Sequence, residues 1–98
     1  MQKVPILVQV QVSVARAQLR RLKAMVGAWW PIEETGATAH DRALVTIGFP
    51  NARIAASELV AMADHLEVLS PAEVRTEMVE RGRRLVTTYS AYAPVTTA

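Results

Sequence analysis

The run Val8-Gln9-Val10-Gln11-Val12-Ser13-Val14 sets a β-branched residue at every second position with a polar one between. Such alternation suits a strand with one covered and one open face, because successive strand side chains leave on opposite sides. Valines also favour a pleated, half-buried surface. The valine face needs a cover, and the next segment supplies one. From Ala15 to Val26 the period changes, so that Ala15, Leu19, Leu22 and Val26 share an arc of about 60° and predict a helix. Gly27 stands where a left-handed residue commonly closes a helix.

A second arc on the same helix carries Arg16, Arg20 and Lys23. Such a trio suits phosphate contact, since neutralising phosphates releases counterions. A solvated helix face is the commoner outcome for three basic residues. Next, Trp29-Trp30-Pro31-Ile32 reads as a strand, and Pro31 restricts it to a sheet edge, where a missing donor breaks no ladder. Alternation sends Trp30 and Ile32 inward and Trp29 and Glu33 outward. An outward Trp29 suits base stacking or interface anchoring, and equally suits packing under a neighbouring loop.

Residues 36–42 read as the polar loop of a hairpin, with His40 and Asp41 near its tip. Ala43 to Phe49 returns as a strand with Val45, Ile47 and Phe49 on one face, and Leu44 and Thr46 on the other. Asn51 is placed to cap a second helix from about Ala52 to Asp64, with Ala55, Leu59, Met62 and Leu66 as its apolar stripe. Leu66, Val68 and Leu69 form a short strand that leads directly into a last helix. Ser70 is expected to cap that helix, with Pro71 at its first position and Glu73 completing a capping box. Val74, Met78, Leu85 and Tyr89 make its stripe. Gly82, Val79 and Val86 widen the apolar arc to roughly 140°, where one small sheet needs about 100°. The surplus points to burial against a second surface, either another subunit or a neighbouring domain. Residues 91–98 read as a disordered tail after a single domain over 1–90.

The element order is β-α-β-β-α-β plus a C-terminal helix. The first six elements match the α+β ferredoxin-like pattern, a four-stranded antiparallel sheet with two helices on one face. Its strand order, 4-1-3-2, leaves the second strand on an edge, where Pro31 is tolerated, and makes the valine strand central. Agreement between local chemistry and topology supports the assignment.

The function classes narrow by subtraction. Without cysteine there is no disulfide framework, no thiolate nucleophile and no cysteine-ligated metal, and a reducing cytoplasm is the expected location. No stretch approaches the roughly 20 apolar residues of a spanning helix, so no membrane partner is expected. His40 and His65 are isolated, the glycines are scattered, and Glu33 and Glu34 are sequence neighbours that a strand aims at opposite faces. No catalysis, metal or cofactor is expected. Charge is uneven: the first 27 residues hold five basic residues and no acid, while all nine acids fall within 28–80. Arg81, Arg83 and Arg84 diverge around the last helix and read as rim charges. The outward positions of the two central strands, Gln9, Gln11, Ser13, Leu44 and Thr46, lack the aromatics of a standard RNA-binding sheet.

The stretch Val68-Leu69-Ser70-Pro71-Ala72-Glu73-Val74-Arg75, followed by a helix with Arg83, Arg84, Leu85 and Tyr89, resembles the close of the WCX domain. This is the C-terminal extension of bacterial WYL-domain transcriptional regulators. The upstream pattern is similar to the ferredoxin-like fold of that extension, so the resemblance covers nearly the whole chain. In that family a helix-turn-helix precedes a WYL domain and the extension comes last. The resemblance implies a regulatory role in dimerisation and in sensing a ligand, which for some members is single-stranded nucleic acid. The chain itself carries no helix-turn-helix and no Trp-Tyr-Leu motif, so promoter recognition is not expected in it. It reads as an excised fragment or a free-standing relative, with a homodimer as its expected assembly and the WYL and helix-turn-helix domains of a parent chain as its partners.

Two function classes remain open. One is the dimerisation and ligand-sensing module. Its candidate contact residues are Arg16, Arg20, Lys23 and Trp29, which rest on helix geometry and strand alternation alone. Its candidate interface residues are Trp29, Leu44, Val79, Gly82 and Val86. The other is a stand-alone small-molecule-binding regulatory domain of the ACT type. A glycine-rich turn after the first strand favours that type, whereas Ala15-Arg16-Ala17 stands there.

Overall fold

The alternating valines form the central strand expected of them. In the computed structural model, which describes residues 5–39 and 41–91, β1 runs Val8–Ala15. After it come a 3-10 turn, Arg16–Gln18, and helix α1, Leu19–Val26. The hairpin strands are β2, Ile32–Ala39, and β3, Arg42–Phe49. Helix α2, Ala52–Leu59, ends in a second 3-10 turn, Val60–Met62. Strand β4, Leu66–Ser70, and helix α3, Ala72–Ser90, complete the order. The strands form one antiparallel sheet in the order β2-β3-β1-β4, which is the ferredoxin-like arrangement with a C-terminal helix added.

Register confirms which face is covered. Val10, Val12 and Val14 lie opposite Ile47, Val45 and Ala43, and all six are fully buried. Leu19, Leu22 and Val26 of α1, Ala55 and Leu59 of α2, and Met62, Leu66 and Val68 complete the core. Gln9 and Gln11 are exposed on the opposite face, opposite Gly48 and Thr46. Asn51 caps α2 as expected, its Oδ1 accepting the Ile54 N–H at 2.8 Å.

Several local expectations give way to tertiary structure. The segment read as a hairpin loop is mostly strand: β2 continues to Ala39 through irregular register between Glu34 and Gly36 and again before Ala39. Asp41 sits at the turn with φ 62°, a conformation that aspartate tolerates better than most residues. His40 and residues 92–98 lie outside the described residues. Gly27 is right-handed, with φ −65° and ψ −18°, so it is not a left-handed helix stop. Space is what requires a glycine there: a Cβ would stand 2.5 Å from the Lys23 carbonyl oxygen and 3.0 Å from Ile32 Cγ2.

Ser70 does not cap α3. It remains in β4, paired with Gln11, and Pro71 occupies the N-cap position after a cis peptide with no side-chain cap bond. Strand pairing therefore wins over the capping box, leaving Glu73 to favour the helix through its first-turn charge alone. The α3 stripe is also only partly core. Val74 is buried and Met78 is packed against the core, but Leu85 and Tyr89 are 51% and 60% exposed.

Candidate binding surfaces

The basic residues of the first helical segment do come together. Arg16, Arg20 and Lys23 line one open depression with Ala17 and Leu19. Arg16 belongs to the 3-10 turn and the other two to α1, and all three are exposed. An acid enters from the neighbouring strand. Glu34 pairs with Arg16 at 3.3 Å and reaches Lys23 at 3.9 Å. Glu33 lies opposite Thr46, toward the open face, and Glu34 opposite Val45, so alternation delivers Glu34 to the helix side.

Arg16 has further duties in the fold. Its backbone N–H donates to the Asp41 carbonyl, and its guanidinium reaches the Arg42 carbonyl at 3.5 Å. It thus ties the first helical turn to the tip of the β2–β3 hairpin. Among the described residues Arg20 has no ion pair, which leaves it the least committed charge of the three.

The tryptophans divide as alternation suggested, but not on a strand. Both precede β2, in the turn after α1, where the Trp29 and Trp30 amides donate to the Val26 carbonyl at 3.0 and 2.9 Å. Trp30 turns inward, its ring 5.7 Å from that of Phe49 and inclined by 52°, and its Nε1 is buried without a partner among the described residues. Trp29 is 78% exposed. Pro31 stands just before edge strand β2, and its carbonyl accepts the Gly48 N–H at 3.0 Å.

The open sheet face is polar and closely tied. Ser13 is 5% exposed beneath Arg42, whose Nε donates to Ser13 Oγ at 2.7 Å and whose Nη2 donates to the Ser13 carbonyl at 2.8 Å. Leu44 is half-buried and Gln9 and Gln11 are exposed. Glu33 and Glu67, opposite Thr46 and Ser13, add negative charge near the two sheet edges. Among the described residues this face offers no aromatic for a base to stack on.

The largest apolar exposure is on α3. Val79, Leu85, Val86 and Tyr89 are each more than half exposed, and the space around Gly82 is open, with nothing within 4 Å of a Cβ built there. Contacts of α3 with the rest of the fold run to β4 and α2. No helix among the described residues is long and apolar enough to cross a membrane, and none of these residues form a group of three or more potential metal ligands.

Sequence reasoning missed Glu34 as a partner of the basic trio and Arg42 as the cover of Ser13. Both are long-range contacts, the first set by the β2–β3 register and the second by the β1–β3 register.

A family model described as WCX domain matches residues 5–86. No curated protein and no solved structure matches the chain. The matched span takes in all four strands, α1, α2 and most of α3, and the chain belongs to the WCX domain family, the C-terminal modules of WYL-type regulators.

Proposed function

We propose that this chain is a dimerisation and effector-sensing module, acting by binding and not by catalysis. The observation that carries the reading is the apolar surface of α3. Val79, Leu85 and Val86 stay exposed on a helix whose first turns are already anchored in the core through Val74 and Met78. Several large apolar side chains left exposed on one helix of a small domain are characteristic of an interaction surface. The effector contact is assigned to the opposite end of the order, the α1 depression with Arg20 and Lys23, and Trp29 nearby in sequence. Single-stranded nucleic acid suits a basic face together with an exposed aromatic.

Sedimentation equilibrium of this chain from micromolar to near-millimolar concentration tests the dimerisation. A reversible monomer–dimer equilibrium is the expected result, and a strict monomer throughout the range overturns it.

A further inference from the structure

We infer that Glu34 is a resident anion in the seat that one effector phosphate takes, so that binding exchanges its carboxylate for phosphate. The inference rests on the effector contact proposed above and names the group that regulates it. The geometry defines the seat. One oxygen of the Glu34 carboxylate lies 3.3 Å from Arg16 Nη1, and the other lies 3.9 Å from Lys23 Nζ. A single anionic group thus bridges two cations that stand seven residues apart. A phosphodiester likewise carries two charged acceptor oxygens on one centre and suits the same pair of donors. Arg16 is held ready for it, because its backbone N–H donates to the Asp41 carbonyl and its Nη2 reaches the Arg42 carbonyl.

The carboxylate is free to leave. Glu34 belongs to edge strand β2, its side chain is 36% exposed, and the ladder to β3 loses its register directly after it. Exposed ion pairs of this kind are weak, so the exchange asks little of the fold. Charge then selects the kind of anion. A lone phosphate group exchanges one anion for another and reaches nothing further. A strand with several phosphates also meets Arg20, which lines the same depression and has no ion pair among the described residues. Glu34 therefore favours polyanionic strands over mononucleotides. It also lowers the number of counterions released. Three basic residues beside one carboxylate present two net charges, for a salt slope of about −1.4 on a single strand, whereas three uncompensated charges give about −2.1.

Fluorescence anisotropy of the whole chain with a labelled oligothymidine of about ten nucleotides tests the exchange. Glu34→Gln should bind about three- to fivefold tighter at low salt, with the slope steepened from about −1.4 towards about −2.1. Glu33→Gln makes the same change in net charge on the opposite face of the same strand. It should alter the affinity by less than about twofold, because it faces neither Arg16 nor Lys23 and solvent screens it from them. Equal gains from the two variants would mean that net charge alone acts, and would overturn the inference. No gain from Glu34→Gln, while Arg20→Gln still weakens binding, overturns it as well and leaves the effector contact standing. A strand bound by neither the wild-type chain nor Glu34→Gln overturns both.

Discussion

Gly48 shows how much a missing side chain can hold. It is buried in β3, and a Cβ there would lie 2.5 Å from Ile6 Cγ2 and 3.2 Å from Pro31 Cγ. The bare backbone thus lets the segment before β1 and the segment before β2 close over one point of the sheet. Gly48→Ala should destabilise the fold by about 1–3 kcal/mol through overpacking, read as a lower urea midpoint with an unchanged slope. A midpoint equal to wild type would show that Ile6 moves aside freely. In the sequence Gly48 is one more residue of a strand, because the clash involves Pro31 and Ile6, both remote along the chain. The same distance hides the guanidinium of Arg42 over Ser13. By contrast, Asn51 was legible, since its bond to the Ile54 amide spans three residues.

At the scale of elements, short-range chemistry decides helix starts only where no strand competes. Asn51 follows the end of β3 and Pro50, free of pairing, and caps α2. Ser70 has the same chemistry but is claimed by the ladder to β1. Asn51→Ala should therefore cost about 1 kcal/mol of stability in chemical denaturation, and a loss near zero would show that α2 is held by its packing alone. The face of α1 repeats the lesson for charge. Helix geometry correctly grouped Arg16, Arg20 and Lys23, but only the β2–β3 register brings Glu34 to them. Glu34→Gln should strengthen binding of a single-stranded oligonucleotide and steepen its salt dependence, while Arg20→Gln should weaken binding more than Arg16→Gln does. No loss of binding with either arginine variant in a fluorescence anisotropy titration would remove the α1 face from effector binding, and equal losses would show that the Glu34 pair does not hold Arg16 back. The apolar stripe of α3 was also legible, but not how far the fold would follow it. Amphipathic spacing describes one helix and is silent on where its neighbours end.

For the whole molecule, alternation, edge proline and helix stripes converge on one topology, and the observed strand order is the one they require. Their agreement explains why the architecture could be read from so few signals. The same topology leaves β2 with one side of its backbone unpaired, the kind of template on which other chains can add strands and grow into aggregates. Pro31 at its entry provides no donor, and the irregular register around Gly36 spoils the straight ladder an incoming strand would need. The features that made this segment hard to assign as a strand thus guard the sheet against fibrous growth, and they leave the helical side of the molecule as the safer place for two chains to meet.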